Sequence, residues 1–190
     1  FLLREKSNPA SVVKLVQQAR LNGRIVRTAL TKEAWQAINN LWLALEKSLK
    51  RPANARDLPQ ILSQVRQGNE LVRGALDGTM LRNDIFNFIQ LGTLIERGDN
   101  TARLIYARHF LFLPSPSVLH QKNGLAHWDM VMSAIGAKRA YNWLHKGRME
   151  GARVLNFLVA DQRMPRSLIY CYTNIVRQVD ALEKGYWCSY

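Results

Sequence analysis

Apolar residues recur along the chain at spacings of three, four and seven, which is the periodicity of one face of an α-helix. Proline, glycine and asparagine separate the periodic segments, and these residues end helices or begin new ones. Asn8 followed by Pro9 is typical of a helix N-terminus, because proline in the first turn lacks only an N–H that would have no partner there. The pattern predicts seven helices, at about 9–30, 31–49, 57–78, 80–112, 125–145, 149–161 and 166–184, and Thr31 as the N-cap of the second helix.

The longest predicted helix, 80–112, would span about 45 to 50 Å at 1.5 Å per residue. Its core-facing stripe is predicted to consist of Phe88, Leu91, Ile95, Ala102 and Ile105. The first helix has a corresponding stripe formed by Val12, Leu15, Val16, Ala19 and Val26. We expect the core to include the tryptophans Trp35, Trp42, Trp128 and Trp143. No segment has the two-residue alternation of a strand, so the sequence predicts an all-α fold, a helical bundle of about seven helices with one long central helix.

Two segments near opposite ends of the chain match when the sequence is shifted by 156 residues. The shift aligns Phe1, Leu2, Pro9 and Ser11 with Phe157, Leu158, Pro165 and Ser167. Proline near a helix start is common in unrelated helices, so coincidence is the alternative to duplication. The sequence also begins at Phe1 without a methionine. We therefore expect residues 1–190 to form a single helical domain that is a fragment of a longer two-repeat protein.

The charge is strongly positive, because 27 Lys and Arg residues outnumber 14 Asp and Glu residues and give a net charge of +13. Such a balance favours an acidic partner, such as nucleic acid, anionic lipid or a phosphorylated ligand. The basic residues are dispersed at helical spacing rather than gathered in a run. Dispersal fits pairing within the protein or an acidic protein partner at least as well as a phosphate backbone, and a nucleic-acid partner is therefore not favoured.

Several classes of protein and site are excluded by composition. Hydrophobic residues make up 47% of the chain and charged residues 22%, which excludes a disordered chain. The two cysteines, Cys171 and Cys188, are too few for a disulfide framework, and no Cys/His cluster has metal-ligand spacing. No glycine-rich phosphate loop, signal peptide or apolar run of about 20 residues occurs. We expect a cytoplasmic protein with no cofactor, no metal and no membrane partner, and Cys171 to be a buried, inert thiol.

The order and spacing of several short segments resemble the motifs of the bacterial alpha-E family along essentially the whole chain. The segments are Asn8-Pro9-Ala10-Ser11-Val12, Gln18-Ala19-Arg20-Leu21-Asn22-Gly23-Arg24, Glu33-Ala34-Trp35, Phe88-Ile89-Gln90-Leu91-Gly92, residues 95–103, His127-Trp128, Ala140-Tyr141, Phe157-Leu158 and Pro165-Arg166-Ser167-Leu168. The resemblance departs from the family pattern at Leu21, where glutamate is usual, and at Gly98, where alanine is usual.

The resemblance implies an all-helical bacterial protein of two related halves with no established biochemical activity. It also implies association with ATP-grasp-like ligases and transglutaminase-like proteins, in peptide synthesis or modification. Association of this kind indicates partners and leaves the mechanism open.

One candidate site lies on the longest predicted helix, within the segment by which the resemblance is recognised. Its residues are Glu96, Arg97, Asp99, Asn100 and Arg103, most of which are spaced by three, four and seven and share one helix face. Two carboxylates one turn apart could hold a divalent cation or do acid–base work, and an arginine could bind an anionic group. The alternatives are an ordinary ion pair between Asp99 and Arg103, four residues apart, or buried ion pairs that fix the register of the helix.

A second candidate site consists of three arginines, Arg20, Arg24 and Arg27, which are stacked at spacings of four and three on the first predicted helix. Guanidinium groups bind phosphate or carboxylate in a bidentate fashion, so the arginines are candidates for anion binding. One alternative is a solvated basic face. Another is that the arginines pair with Glu96 and Asp99 inside the bundle.

Three functional hypotheses follow. The favoured one is a non-catalytic accessory or interaction module that works with an ATP-grasp-type ligase or a transglutaminase-like partner. The second is an enzyme, or a metal- or anion-binding protein, built on Glu96, Asp99 and Arg103. The third is nucleic-acid binding driven by the positive charge. An apolar helix face left uncovered in a fragment would also favour homo-oligomers.

Overall fold

The computed structural model describes residues 3, 5, 7–50, 54, 56–111 and 120–187. Within these ranges the chain forms α-helices, one short 3-10 helix at Arg27–Ala29 and no strand, which confirms the predicted all-α fold. The helices are α1 (Val12–Ile25), α2 (Lys32–Ser48), α3 (Leu58–Thr79), α4 (Asp84–Leu111), α5 (His120–Ala134), α6 (Lys138–His145), α7 (Gly151–Ala160) and α8 (Leu168–Trp187). None of these helices is long and apolar enough to cross a membrane.

The chain divides into two compact units, unit 1 (Phe1–Phe86) and unit 2 (Asn87–Tyr190). Unit 1 is held together mainly by α2 packed along α3, with α1 against α2. Gly68 permits the close approach of α3 to α2, because a Cβ at this position would collide with the side chain of Leu41. The buried cluster of this unit is small: among the described residues it consists of Leu45, Leu49 and Ile61, which are lined by half-buried valines.

The cap of α2 also ties the two main helices of unit 1 together. Thr31 Oγ1 accepts a hydrogen bond from the backbone N–H of Ala34 at 3.2 Å, as predicted for a helix N-cap. The same hydroxyl lies 2.6 Å from Thr79 Oγ1 at the end of α3. The start of α2 is therefore joined to the end of its neighbour.

Unit 2 has a larger and more aromatic core. Its buried members are Trp128, Val131, Met132, Ile135, Ala137, Tyr141, Val154, Phe157, Leu158 and Met164. The rings of Tyr141 and Phe157 meet edge to face, with their centroids 5.5 Å apart. Such a pair adds to the stabilisation that burial alone provides.

Three predicted helix boundaries are wrong, two of them for a local reason. The first predicted helix ends at Ile25 rather than near residue 30, and the chain then tightens into the 3-10 helix. The predicted helix 125–145 is two helices, because Gly136 adopts a φ of +67° between them. A loop was predicted to extend through Gly124, but α5 already begins at His120. Eight α-helices are therefore described instead of about seven.

The predicted core-facing stripe of the longest helix is partly wrong: Ile105 packs against the core of unit 2 and Leu91 is half-buried, but the other three residues are exposed. Phe88 and Ile95 are 55% and 57% exposed, and Ala102 is also exposed. In unit 2 the buried positions of α4 are Leu94 and Thr101. Apolar residues lie on several sides of this helix, so their spacing alone did not distinguish the face that is buried.

Two other core predictions are partly wrong. In α1, Val12 and Val16 pack against the core of unit 1, but Leu15, Ala19 and Val26 are exposed. Within α1 the one buried residue is Gly23. Among the tryptophans, Trp128 is buried and Trp35 and Trp42 are half-buried, whereas Trp143 is 89% exposed. Trp143 lies on a two-turn helix whose buried side is taken by Tyr141.

The two segments that match at a shift of 156 residues have the same hydrogen-bonding pattern. In each, an acidic side chain accepts from the backbone N–H two residues later, and two tight turns follow before a buried serine that immediately precedes a helix. In the first pair of bonds, the N–H of Ser7 donates to the Glu5 carboxylate (3.2 Å), as that of Arg163 does to the Asp161 carboxylate (2.9 Å). In the first turn, the N–H of Asn8 donates to the carbonyl of Glu5 (3.3 Å), and that of Met164 to the carbonyl of Asp161 (3.2 Å). In the second turn, the N–H of Ser11 donates to the carbonyl of Asn8 (3.1 Å), and that of Ser167 to the carbonyl of Met164 (2.9 Å).

Candidate functional site

The polar residues predicted on the longest helix lie on the second half of α4. Asp99 and Arg103 form an ion pair, in which Arg103 Nε donates to Asp99 Oδ2 at 2.6 Å. The two side chains are 56% and 78% exposed. The hydrogen bond to Asp99, together with its negative charge, raises the pKa of the Arg103 guanidinium. The ion pair predicted as the alternative to a catalytic site is therefore present, and it lies at the surface.

The other predicted residues of this site are close to that ion pair along the helix. Glu96 and Asn100 are exposed, and Arg97 is half-buried. The part of the chain that the structure describes contains no group of three or more His, Cys, Asp or Glu residues suited to a metal ion. What the helix does provide is a row of exposed polar side chains one and two turns apart.

An exposed apolar row runs beside these polar groups. Phe88, Ile95, Ala102 and Tyr106 follow one another at spacings of seven, seven and four, so they share one side of α4. Phe88, Ile95 and Tyr106 are 55%, 57% and 62% exposed. We call these four residues the α4 apolar stripe. Its exposure was not predicted, because Phe88, Ile95 and Ala102 were assigned to the core.

The opposite side of α4 is fixed within unit 2. Thr101 is buried, and its hydroxyl donates to the backbone carbonyl of Arg166 at 2.8 Å. Gly98 faces Cys171, and a Cβ at Gly98 would lie 3.5 Å from the Cβ of this cysteine. Cys171 is buried as predicted, and burial raises the pKa of its thiol, which makes the thiol a weaker nucleophile. These contacts hold the candidate polar face toward the outside of the unit.

The three predicted anion-binding arginines lie in unit 1 and do not share one helix face. Arg20 is half-buried, and its Nε donates to Asn39 Oδ1 at 2.8 Å. Arg27 lies in the 3-10 helix, with its guanidinium carbon 5.5 Å from the centroid of the Trp35 ring. Arg24 is exposed. Two of the three therefore have contacts within unit 1, whereas pairing with Glu96 and Asp99 stays a prediction.

A third site was not predicted. A pocket of about 470 Å³ lies at the connection between α6 and α7, and it is lined by Leu144, His145, Lys146, Arg148 and Arg153. Four of its five lining residues are basic. The sequence did not indicate this basic cluster, because its residues surround Gly147 without the spacing of a single helix face.

Comparison with known proteins agrees with the helical architecture. The model of the Alpha-E family, described as a predicted alpha-helical domain with a conserved ER motif, matches residues 1–188. The only Glu-Arg dipeptide of the sequence is Glu96-Arg97, on the exposed half of α4.

Similar curated proteins are uncharacterised proteins of Mycobacterium bovis and of two strains of Mycobacterium tuberculosis. Each is 22% identical over 170 residues, which cover 87% of this chain and 19% of the relative. The chain thus spans about a fifth of the length of the curated relatives it matches. No solved structure matches significantly.

Proposed function

This chain belongs to the Alpha-E family, and we propose that it is a non-catalytic interaction domain that binds a partner protein through the exposed side of α4. The observation that carries the proposal is the α4 apolar stripe beside the polar row of Glu96, Asp99 and Arg103. Protein interfaces combine an apolar centre with a polar rim, and an exposed apolar row bordered by polar groups is typical of them. The one Glu-Arg dipeptide of the sequence, Glu96-Arg97, lies on the same helix.

The polar groups support binding better than they support catalysis. The Asp99 carboxylate is already paired with Arg103 in solvent, and both side chains are more than half exposed. A general acid or base gains its altered pKa from burial and from neighbouring charges, and this row has little burial. At the edge of an interface, the same charges would select a partner and orient it.

The partner that we propose is an ATP-grasp-type ligase, with a transglutaminase-like protein as the second choice. This part of the proposal rests on the resemblance of the chain to its family. We further propose that the chain is part of a longer two-repeat protein. The shared hydrogen-bonding pattern of Glu5–Ser11 and Asp161–Ser167 supports duplication more strongly than the residue identities alone.

The test is a binding titration between this chain and a purified ATP-grasp-type ligase of the same organism. Ile95→Ser and Phe88→Ser remove anchors of the α4 apolar stripe, and we expect each to weaken binding at least tenfold, as for a residue near the centre of an interface. Tyr172→Ser is the matched control, because Tyr172 is 67% exposed on another helix of the same unit. Its affinity should equal that of the unaltered chain.

Two outcomes would count against the proposal. Equal affinities of the Ile95→Ser, Phe88→Ser and unaltered chains would show that α4 is not the binding surface. Calorimetric uptake of a divalent cation that is lost in Glu96→Gln would favour the alternative, a metal-binding site on the polar row.

A further inference from the structure

The pocket between α6 and α7 has the chemistry of an anion-binding site. His145, Lys146, Arg148 and Arg153 line it from the end of one helix, the connecting turn and the first turn of the next helix. Two acids are near it: Glu150, whose carboxylate lies 3.0 Å from Arg153 Nε, and Asp161, which interacts with His145 and is paired with Arg163 outside the lining. Of the three permanently charged lining side chains, only Arg153 has an acidic partner among the described ion pairs.

The backbone of the pocket is held in place by several contacts. The N–H of Arg148 donates to the carbonyl of His145 at 3.2 Å, and the carbonyl of Arg148 accepts from the hydroxyl of Tyr141 at 3.1 Å. Tyr141 itself is fully buried in the core of unit 2. The Arg148 side chain thus extends from a backbone that is fixed on both sides of its Cα.

The turn and the imidazole are similarly constrained. Lys146 and Gly147 both adopt the left-handed conformation, with φ of 49° and 73°. The N–H of Gly147 donates a hydrogen bond to the carbonyl of Asn142. The ring of His145 contacts those of Tyr141 and Phe157, at centroid distances of 4.5 and 6.1 Å. A site whose groups are already positioned loses less entropy when it binds a ligand.

The charge at this pocket is poorly compensated. Arg153 is in the first turn of α7, where the helix dipole disfavours a cation, and the first turn contains no acidic residue. No side-chain hydrogen bond from a described residue caps this helix. Two arginines and a lysine thus lie together near a positive helix end, and an anion would relieve their repulsion.

We propose that the α6–α7 pocket binds the phosphate group of a small phosphorylated ligand. After pairing of Arg153 with Glu150, the permanent charges leave a net of about two positive charges, which matches a phosphate monoester of about −1.5 to −2 better than a single carboxylate. Arg148 and Arg153 supply the planar donor pairs that bind phosphate oxygens, and Lys146 supplies a point charge. No lining residue of this pocket belongs to α4, so a test of phosphate binding is independent of the test of partner binding.

The test is a titration of the chain with inorganic phosphate at constant ionic strength, followed by NMR at the backbone amides of residues 145–153. We expect saturable shifts confined to this segment. Arg148→Gln and Arg153→Gln should each weaken binding at least tenfold. Arg139→Gln is the matched control, because Arg139 is exposed on α6, carries the same charge and does not line the pocket.

Thermal unfolding followed by circular dichroism establishes that each variant is folded before its affinity is compared. Vesicles of phosphatidylcholine with and without phosphatidate form a second arm of the test. Binding to phosphatidate vesicles without binding to free phosphate would support phosphate recognition and identify a lipid headgroup as its source.

The proposal would be overturned if a folded chain showed no saturable amide shift at millimolar phosphate and no binding to phosphatidate vesicles. Equal losses of affinity in Arg139→Gln and Arg148→Gln would do the same, because they would reduce the effect to the general positive charge of the chain.

Discussion

The two units of this protein are built from similar helices but are stabilised differently. The buried cluster of unit 1 has three described residues, and its strongest feature is the close contact of two long helices at Gly68. Unit 2 buries ten described residues around Tyr141 and Phe157. A larger and better-packed core makes local opening more costly, so unit 2 is the better support for a preorganised site. Both proposed sites, on α4 and between α6 and α7, lie in unit 2.

The largest effects are expected from a matched pair of leucines. Leu158 in unit 2 and Leu45 in unit 1 are almost completely buried, at 0% and 1% exposure. We expect Leu158→Ala to lower the free energy of unfolding by about 4 to 5 kcal/mol, and Leu45→Ala by about 2 to 3 kcal/mol. The difference arises because half-buried valines around Leu45 can move into the cavity, whereas the aromatic core around Leu158 cannot.

Denaturant unfolding and native-state hydrogen exchange, which reports the opening of each unit, measure these losses. Equal losses for the two leucines would break the contrast between the units.

The next effect tests whether unit 1 depends on helix contact. Gly68→Ala should destabilise it by about 1 to 3 kcal/mol, because the new Cβ would collide with the Leu41 side chain, whose Cγ and Cβ lie only 3.2 and 3.3 Å away. Gly74→Ala is the control on the same helix, since nothing lies within 4 Å of its Cβ. That change should instead stabilise the helix by up to about 1 kcal/mol. Stabilisation by both changes, measured by thermal unfolding, would show that α2 and α3 separate easily.

A smaller effect distinguishes the two related serines. Ser167 Oγ donates to the carbonyl of Asp161 at 2.7 Å and accepts from the N–H of Tyr170 at 3.1 Å. Ser11 Oγ, although also buried, has no hydrogen-bond partner among the described residues. Ser167→Ala should therefore cost about 1 to 2 kcal/mol, and Ser11→Ala close to nothing, in denaturant unfolding. A reversed order would contradict the contrast between the two equivalent turns.

The smallest effect is expected from Asp161, and it depends on pH. Hydrogen bonds from Arg163 lower the pKa of the Asp161 carboxyl below its ordinary value of 3.8, so the native state favours the ionised form. The resulting stabilisation is complete above the ordinary pKa and is lost as the pH falls through the depressed value. Asp161→Asn should lower the unfolding free energy near neutral pH, and the difference from the unaltered chain should vanish in acid.

Urea unfolding of the unaltered chain and of Asp161→Asn, from neutral to acid pH, measures this difference. A pH-independent loss in Asp161→Asn would mean that the charge of Asp161 is unimportant.

The sequence by itself determined the helical fold, most helix positions, the N-cap at Thr31, the buried thiol and the membership of the family. These features depend on local periodicity, capping chemistry and short motifs, which are encoded within a few turns of the chain. The sequence also predicted the Asp99–Arg103 ion pair, because side chains four residues apart lie next to each other on a helix.

Only the tertiary structure decided which face of α4 is buried and where the basic residues of unit 2 converge. Phe88 and Leu94 are both apolar, yet Phe88 is 55% exposed and Leu94 is buried. Likewise, Arg148 and Arg153 meet His145 because a left-handed turn at Lys146 and Gly147 brings two helix ends together. Packing between helices and the direction of a turn are non-local, and spacing along one helix does not encode them.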